Sequence, residues 1–412
     1  SYSHRAFIAA SLADGVSIIK NPLTVGDVKT TIDILKLLGV KILKESENTF
    51  VIEKSDKILR SYDKIIDCKN SGTSIRIFSA LSLLVEGGLN FTGIFLKRGR
   101  PIISLLNSLK SLGAEFNIEE DILHIERVNK ICNLVEIPGD ISSQFITALL
   151  ILSPLVDCEQ KKGIEIEIST PLLSYPYIKI TLDVLSSFGI NVQEKLNENK
   201  TGKYYIPCEQ KYRPQVYQIP GDFSSAAFLI GATVISPKKS KVVIKNLKQQ
   251  DPQGDKQIIE ILKKMGANIQ FDQNQVVIKG NLSKYPLEGI DIDCHDIPDL
   301  FPILCVIGSA AKGKTTLYNA LHLRNKESDR ISIMARELKK KGVRIEEKED
   351  NLTVFNSKLN GSVVDPEGDH RIAMACCIAS LYSDTPSIIK NIEIVKDSYP
   401  NFFDDLKKLG LK

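Results

Sequence analysis

The sequence has no marked excess of charge of one sign, since 54 Lys and Arg residues balance 50 Asp and Glu residues over 412 positions. A dedicated nucleic-acid-binding protein would carry a strong basic excess or a basic stripe, so this class is excluded. Long apolar runs are also missing: the longest uncharged stretches, residues 141–156 and 223–237, are too short and too rich in Ser, Thr or Gly to span a bilayer. The formal charge of +4 leaves room for small anionic substrates held by a local cluster of cations.

Cysteine motifs of the metal-binding kind are lacking as well. The eight cysteines, at positions 68, 132, 158, 208, 294, 305, 376 and 377, form no C-x-x-C pair, and the sequence shows no signal peptide. In a long chain this pattern favours reduced thiols over a disulfide framework or a zinc site. We therefore expect a soluble cytoplasmic protein.

The length excludes a single small module, since about 150 residues per domain gives two or three domains. One pattern recurs along the chain: an amphipathic helix, a glycine and then a β-like run. A glycine after the last helical turn supplies the left-handed residue that ends a helix. These glycines lie about 70 residues apart, at Gly39, Gly113, Gly189, Gly266, Gly342 and Gly410. The pattern predicts six α/β units.

A second, more apolar helix accompanies each unit, and a helix that is apolar nearly all round is buried. The six segments are SHRAFIAASLA, GTSIRIFSALSLL, SSQFITALLILS, SSAAFLIGATVI, IPDLFPILCVIGSA and DHRIAMACCIASL. They begin with polar or cationic residues, and helix N-termini that converge form an anion site. Residues 209–220, with two prolines, are the expected linker between two groups of three units, and a cleft between the groups is the expected ligand site.

The third and fourth units share the motif Ile-Pro-Gly-Asp-x-Ser-Ser, at residues 137–143 and 219–225. A single copy is typical of a turn followed by an N-cap, because Ser and Asp accept hydrogen bonds from the free N–H groups of a helix start. Its recurrence with the same flanking residues favours duplicated architecture.

Residues 308–315 match the P-loop expression G-x-x-x-x-G-K-[ST] letter for letter. That motif binds phosphate only between a preceding strand and a following helix. Here a buried helix is predicted over residues 298–311, and the β-branched residues that follow predict a strand. We therefore interpret the match as a helix-to-strand turn. ATP binding that is lost in Lys314→Ala would reverse this interpretation.

Cationic side chains recur beside hydroxyls, acids and helix starts. They include Arg5, Arg76, Arg100, the segment Lys326-Glu327-Ser328-Asp329-Arg330 and the segment Asp369-His370-Arg371. Taken alone, the Lys326 segment is typical of ion pairs on a helix surface. Taken together, the set suits a multiply charged anion, because guanidinium groups bind phosphate and carboxylate in a bidentate manner.

In order along the chain, these segments resemble the 5-enolpyruvylshikimate-3-phosphate synthase family of enolpyruvyl transferases. The resemblance runs through SYSHRAFIAASLA, NSGTSIR, GRPI, GDISSQFITALL, SYPYI, GDFSSA, IPD, LRNKESDR, DHRIAMA and SYPNFF. It implies an α/β fold of two lobes, each made of three βαβαββ repeats, known as an inside-out barrel. The expected lobes are residues 1–216 and 217–412.

The resemblance also implies the reaction. Family members transfer the enolpyruvyl group of phosphoenolpyruvate (PEP) to the 5-hydroxyl of shikimate 3-phosphate through a tetrahedral intermediate. They release phosphate and use neither a metal nor a cofactor, in the route to chorismate and the aromatic amino acids. We expect a monomer whose partners are these two small molecules.

Site residues follow from the same resemblance. Those expected to hold shikimate 3-phosphate are Ser1, Arg5, Ser142, Ser143, Ser174, Asp299 and Lys326. Those expected to hold PEP are Gly72, Arg100, Gln144, Arg330 and Arg371, with Asn70 and Thr73 shaping the loop and Arg76 ordering it. The glycine at Gly72 predicts inhibition by glyphosate, which competes with PEP in this family.

The chemistry requires a base for the 5-hydroxyl and an acid for C3 of PEP. We expect Asp299 to be the base and Glu327 the acid, with Lys326, Arg330 and Arg371 stabilising the charge that develops. A carboxyl acts as an acid near neutral pH only if its pKa is raised, whereas neighbouring cations lower it. His370 has two open roles, as a proton relay or as a structural partner of the helix cap.

The sequence departs from the family pattern at four places. The lysine of the family's first motif would precede Ser1, so we expect the natural protein to begin earlier. A lysine of the third repeat is replaced by Tyr175, and an asparagine before the Lys326 segment by His322. The family's late lysine aligns with Asp397, with Lys396 one position earlier.

Two further alternatives remain open. An enolpyruvyl transferase that acts on UDP-N-acetylglucosamine would have the same fold, but its catalytic cysteine has no counterpart in residues 90–101. A ligand-binding homologue without catalysis would account for the missing lysine. Phosphate release in the presence of both substrates separates these alternatives.

Overall fold

The computed structural model describes residues 1–54, 59–129, 133–156 and 162–410. The chain divides into two compact units, Ser1–Ile219 and Pro220–Lys412, each built from small sheets and helices around its own hydrophobic core. The α/β class predicted from the alternating helix and strand patterns is confirmed.

Helices of two kinds alternate along the chain. Helices α1, α3, α6, α8, α10 and α12 are mostly buried, whereas α2, α5, α7, α9, α11 and α13 bury one face. The bounds are α1 (Tyr2–Leu12), α2 (Gly26–Leu37), α3 (Gly72–Leu81), α4 (Ile94–Lys97), α5 (Ile103–Lys110), α6 (Ser143–Leu152), α7 (Tyr175–Ser187), α8 (Phe223–Val234), α9 (Ile258–Lys264), α10 (Phe301–Ala310), α11 (Arg330–Lys340), α12 (His370–Leu381) and α13 (Phe402–Lys408). This division follows the apolar periodicity of the sequence.

The strands are short, with two to six residues each. In the first unit they are β1 (Val16–Lys20), β2 (Lys41–Ser46), β3 (Thr49–Glu53), β4 (Ile65–Asp67), β5 (Leu89–Thr92), β6 (Ala114–Glu119), β7 (Ile122–Arg127), β8 (Leu134–Ile137), β9 (Ile164–Ile168), β10 (Gln193–Leu196), β11 (Gly202–Ile206) and β12 (Val216–Gln218). In the second unit they are β13 (Ser240–Lys245), β14 (Asn268–Asp272), β15 (Gln275–Gly280), β16 (Asp291–Asp293), β17 (Lys314–Tyr318), β18 (Ile345–Glu347), β19 (Leu352–Phe355), β20 (Val363–Val364) and β21 (Ile388–Ile389).

Three of the sheets share one topology, with the strand orders β4-β5-β7-β6, β8-β9-β11-β10 and β16-β17-β19-β18. The other strand orders are β12-β1-β3-β2, β13-β15-β14 and β20-β21. Strand pairs β4·β5, β8·β9, β16·β17 and β20·β21 are parallel, and a buried helix makes the crossover in each pair. The remaining pairs within these sheets are antiparallel. A parallel pair needs such a crossover, and it brings the N-termini of the buried helices to the same edge of their sheets.

Strand β12 pairs with β1 of the first sheet, although about 200 residues separate the two strands in sequence. The division between the units therefore falls after Ile219, three residues beyond the boundary expected from the sequence. The expectation of a linker over residues 209–220 is wrong for most of that segment. Tyr212 is 2% exposed and its hydroxyl donates to the Ile151 carbonyl, so the segment packs onto the first unit. The pairing of β12 with β1 joins strands that are far apart in sequence, so the local signal of two prolines could not predict it.

The repeated glycines end their helices as predicted. All six have φ between 74° and 100°, the left-handed region that favours glycine. The P-loop interpretation is also excluded as predicted, because residues 308–310 end helix α10 and residues 314–315 begin strand β17, so the order is helix, turn and strand.

Cys208 is disulfide-bonded, which contradicts the expectation that the thiols are reduced. Pairing depends on the distance between two cysteines in space, which sequence spacing does not reveal. Cys68, Cys294, Cys305, Cys376 and Cys377 are free, and Cys132 and Cys158 lie outside the described residues. Within the described ranges, no helix has both the length and the apolar character needed to cross a bilayer.

Candidate active site

Arg5 lies on the buried helix α1 and is 3% exposed. Its Nε donates to Thr181 Oγ1 at 2.8 Å, its Nη2 to Thr147 Oγ1 at 3.2 Å and to the Tyr177 carbonyl at 3.3 Å, and its Nη1 to the Ser1 carbonyl at 3.0 Å. Burial lowers the pKa of Arg5 to about 10, and nearby tyrosines oppose that effect only in part. The side chain is therefore a buried cation surrounded by neutral acceptors.

The predicted serines lie at helix starts in the same unit. Ser142 is the N-cap of α6, where its hydroxyl accepts from the Gln144 N–H at 3.3 Å, and Ser143 is the first residue of that helix. Ser174 precedes α7 and has a φ of 54°, a backbone conformation that residues other than glycine rarely adopt. Its buried hydroxyl has no hydrogen-bond partner within the described residues. Such strain and an unsatisfied hydroxyl are typical of a binding site.

The duplicated Gly-Asp motif is explained by close backbone approach and capping. A Cβ on Gly139 would lie 2.4 Å from the Thr170 carbonyl oxygen, and one on Gly221 would lie 2.2 Å from the Asn246 carbonyl oxygen. Asp222 accepts from the Ser225 N–H at 3.0 Å and caps α8. The motif therefore holds two buried helices at equivalent positions, as the repeat predicted.

Gly72 opens helix α3 beside two guanidinium groups. A Cβ there would lie 3.1 Å from the Phe95 ring and 3.3 and 3.4 Å from nitrogens of Arg76 and Arg100. Arg100 donates to the Asn70 carbonyl at 3.1 Å, and both guanidiniums stack on Phe95. A side chain at position 72 would therefore occupy space next to two cations.

Arg76 and Gln144 join the loop after β5 to helix α6. Arg76 donates to Gln144 Oε1 at 2.6 Å and to the Pro101 carbonyl at 2.6 and 3.1 Å. Gln144 in turn donates to Thr73 Oγ1 at 3.0 Å. The structure thus brings Gln144, Gly72 and Arg100 into one neighbourhood, and Arg76 fixes the loop on which Arg100 lies.

In the second unit, Arg330 is the centre of a group of carboxylates. It is 1% exposed, and its nitrogens lie 2.8 Å from Asp299, 2.8 Å from Glu327 and 2.8 Å from Asp369. Burial alone would lower the pKa of Arg330, but the attraction of Asp369, Glu327 and Asp299 outweighs it and raises the pKa well above its ordinary value. One guanidinium therefore aligns the expected base and the expected acid.

A second arginine shares one of these carboxylates. Arg371 donates to the other oxygen of Asp299 at 2.8 Å, and its own backbone N–H donates to Asp369, the N-cap of α12, at 2.9 Å. Asp299 therefore bridges Arg330 and Arg371, two of the cations that we expected to hold PEP.

Two histidines of this unit, His322 and His370, have lowered pKa values and are neutral at physiological pH. Burial and the charge of Lys326 lower the pKa of His322 to about 3, and its buried Nε2 has no hydrogen-bond partner among the described residues. Burial and Arg371 also lower the pKa of His370.

Lys396 lies at the surface, where its Nζ is 2.9 Å from a carboxylate oxygen of Glu393.

The sequence did not identify Asp255 as a candidate site residue. Its carboxyl is 3% exposed, one oxygen accepts from Ser224 at 2.5 Å, and the other oxygen has no partner in the described chain. Burial and the charge of Asp299 raise its pKa to about 7. Ser224 belongs to the second Gly-Asp motif, so the repeat pointed to Ser224. Nothing in the repeat pointed to Asp255, its hydrogen-bond partner.

Some buried polar atoms of these residues have no hydrogen-bond partner among the described residues: Asn70 Oδ1 and Ser174 Oγ in the first unit, and Asp255 Oδ1 and His322 Nε2 in the second. Leaving such a group without a partner costs about 1–3 kcal/mol, so each of these atoms is a candidate contact for a polar ligand. In the part of the chain that the structure describes, no three His, Cys, Asp or Glu side chains are grouped so that they could bind a metal ion.

Comparison with known proteins agrees with these motifs. Residues 1–406 match the family EPSP synthase (3-phosphoshikimate 1-carboxyvinyltransferase). Proteins named 3-phosphoshikimate 1-carboxyvinyltransferase from Methanococcus vannielii and Methanocaldococcus jannaschii are 43% and 44% identical, with alignments that cover 100% of this chain and 94% of each relative.

A solved structure has the same fold. EPSP synthase from Acinetobacter baumannii superposes with a TM-score of 0.81 at 25% identity, over 100% of this chain and 94% of that one. The family match spans nearly the whole chain and includes each cluster described above. The chain therefore belongs to the EPSP synthase family.

Proposed function

We propose that this protein transfers the enolpyruvyl group of PEP to the 5-hydroxyl of shikimate 3-phosphate and releases phosphate, in aromatic amino acid biosynthesis. The observation that carries the proposal is the arrangement at Arg330. Asp299 and Glu327 accept from two nitrogens of one buried guanidinium, which holds two carboxylates side by side for opposite proton transfers. Family membership supplies the substrates.

Shikimate 3-phosphate is assigned to Ser1, Arg5, Ser142, Ser143, Ser174, Asp299 and Lys326. Arg5 supports this assignment because its charge is buried among neutral groups. A bound phosphate would supply the negative charge that these neutral groups do not. The unpartnered hydroxyl of Ser174 offers a further hydrogen bond.

PEP is assigned to Gly72, Arg100, Gln144, Arg330 and Arg371. Arg100 and Arg76 lie within reach of the space that a Cβ on Gly72 would fill. Four of the five N–H groups of Arg330 already donate to Asp299, Glu327, Asp369 and the Pro298 carbonyl. Arg330 therefore contacts PEP through one remaining N–H and acts chiefly by aligning the two carboxylates.

The reaction then needs two steps. In the addition, Asp299 takes the 5-hydroxyl proton, the oxygen bonds to C2 of PEP, and Glu327 delivers a proton to C3. In the elimination, the ionised Glu327 takes a proton back from C3, the bond from C2 to the phosphate oxygen breaks, and the departing phosphate takes the proton that Asp299 holds. Arg371 and Lys326 stabilise the negative charge on the transferring groups.

The experiment is phosphate release by the full-length protein. We expect release only when PEP and shikimate 3-phosphate are both present, and none when UDP-N-acetylglucosamine replaces the shikimate. A protein that binds both substrates but releases no phosphate would be a binding homologue, which would overturn the proposal.

We further propose a cytoplasmic monomer that binds no nucleic acid, with two lobes of three repeats each. The near-balanced charge and the family's biosynthetic role support this part. Light scattering coupled to gel filtration tests the monomer, and a mass of twice 45.8 kDa would contradict it.

A further inference from the structure

A chain of uncharged polar side chains crosses the core of the first unit. It starts at His4 on α1, passes through Thr31 on α2 and Ser74 on α3, and ends at Ser71, the N-cap of α3. The distances are 2.7 Å from His4 Nδ1 to Thr31 Oγ1, 2.9 Å from Thr31 Oγ1 to Ser74 Oγ and 2.8 Å from Ser74 Oγ to Ser71 Oγ. Three helices are thereby joined by side-chain hydrogen bonds.

The chain is isolated from solvent. Thr31, Ser71 and Ser74 are 0% exposed and His4 is 6% exposed. Burial, together with the neighbouring charge of Arg5, lowers the pKa of His4 well below its ordinary value, so the ring is neutral. In such surroundings a hydrogen bond that is broken is not replaced by water, and each hydroxyl holds the next in one orientation.

The direction of donation runs along the whole chain. If His4 Nδ1 accepts, Thr31, Ser74 and Ser71 each donate toward α1. If Nδ1 carries the proton, the donors run toward α3, and the single O–H of Ser74 donates either to Ser71 Oγ or to the Asp27 carbonyl at 3.5 Å. In both arrangements Thr31 is the only link between the histidine and Ser74 among the described residues.

The far end of the chain determines where the segment 70–72 lies. The Ser71 hydroxyl accepts from the Ser74 N–H at 3.2 Å and so fixes the first turn of α3. Asn70, the preceding residue, accepts from Arg100 through its carbonyl, and Gly72, the following one, borders Arg76 and Arg100. The near end lies beside Arg5, which follows His4 in sequence.

We propose that His4 and Thr31 are positioning residues for PEP, which hold the segment 70–72 and the Arg100 side chain in place through Ser74 and Ser71. This inference rests on the proposed function, in which that segment binds PEP and Arg5 binds shikimate 3-phosphate. None of the four side chains contacts substrate; they act through the start of α3.

The test compares Thr31→Val with Thr30→Val and Thr31→Ser. Thr30 is the preceding residue of α2, is 6% exposed and does not belong to the hydroxyl chain, so it controls for the loss of a buried hydroxyl from this helix. Affinity for glyphosate is measured by calorimetry at saturating shikimate 3-phosphate, which requires no turnover. Steady-state kinetics give KM for PEP and kcat separately.

We expect Thr31→Val to weaken glyphosate binding and raise KM for PEP about 5- to 20-fold, the scale of one lost buried hydrogen bond, with kcat changed less than about threefold. Thr30→Val should leave both constants within about twofold, and Thr31→Ser should restore them. Equal effects of Thr31→Val and Thr30→Val, no restoration by serine, or a fall in kcat alone would overturn the proposal. If Thr31→Val fails to fold, Ser74→Ala is measured in the same way.

Hydrogen exchange separates this inference from the proposed function. In the ligand-free protein, amides of residues 71–75 should exchange at least about fivefold faster in Thr31→Val than in Thr30→Val. If the natural protein neither binds glyphosate nor releases phosphate, the proposed function fails, and the exchange rates still decide whether the hydroxyl chain holds the segment. Equal rates in the two variants refute the chain's role.

Discussion

Arg5 and Arg330 are buried guanidiniums, one in each compact unit, with opposite surroundings. Among the described residues, Arg5 donates only to hydroxyls and carbonyls, whereas Arg330 donates to three carboxylates. The pKa of Arg5 is lowered by burial, and that of Arg330 is raised because carboxylates outweigh burial.

The difference separates two uses of one side-chain type. A buried charge without a counter-ion is costly, so it favours binding of an anion that supplies one. A buried charge that is already paired gains little from a ligand, but it fixes the orientation of its partners. Arg5 is therefore suited to binding, and Arg330 is suited to aligning catalytic groups.

The largest effect is expected from breaking the paired site. Arg330→Met leaves three carboxylates without their shared cation, and such a loss destabilises a protein by about 3–5 kcal/mol. Urea unfolding measures this change. The surface variant Arg344→Met, whose side chain is 71% exposed and pairs with Glu346, should change the free energy of unfolding by less than about 1 kcal/mol. A stable Arg330→Met variant would show that Arg330 does not organise the site.

Removing the charge of one aligned carboxylate should affect turnover next. Asp299→Asn keeps the shape of the side chain but cannot accept the 5-hydroxyl proton, so we expect kcat to fall at least about a hundredfold. Phosphate release at saturating substrates measures it. Asp291→Asn, an exposed residue on β16, is the control. A rate within about threefold of the natural protein would refute the role of Asp299 as the base.

The unpaired cation should show the reverse behaviour. Arg5→Met removes the buried charge and the one N–H that does not already donate to the described residues, so the affinity for shikimate 3-phosphate should fall about 10- to 100-fold. Its free energy of unfolding should fall by less than that of Arg330→Met, because hydroxyls and carbonyls lose a donor but no carboxylate among the described residues is left without a cation. Calorimetry and urea unfolding check the two parts. A large loss of stability with normal affinity would abolish the contrast with Arg330.

The smallest effect concerns Asp255. Its folded pKa of about 7 exceeds the ordinary value of 3.8, so the folded protein binds more protons than the unfolded chain between pH 4 and pH 7. Its contribution to stability is present below pH 4 and is lost as the pH rises to 7. Asp255→Asn should therefore gain stability relative to the natural protein by about 1 kcal/mol or more between pH 5 and pH 8. A difference that does not change with pH would contradict this.

Local patterns predicted the elements well. The spacing of Gly39 and its five counterparts identified the helix ends, and the apolar segments identified the buried helices. Both signals depend on residues within one or two turns, where backbone sterics and side-chain periodicity act directly.

Partners that are distant in sequence were not predicted. Glu327 lies in the turn before α11 and Arg330 is the first residue of that helix, so their pairing is local, but taken alone the segment was typical of a surface pair, whereas Arg330 is 1% exposed. Asp299 and Asp369 reach the same guanidinium from 31 and 39 residues away. The links from His4 to Ser71 and from Ser224 to Asp255 likewise depend on packing between helices.

The pairing of β12 with β1 sets an order of events during synthesis. All strands of sheets β4–β7 and β8–β11 have been synthesised before residues 216–218 emerge from the ribosome. The first sheet is incomplete until those residues are available. Until then β1 presents an open edge, which another chain can pair with. A nascent chain that stalls before Val216 is therefore the species of this protein most exposed to aggregation, although two of its three N-terminal sheets are complete.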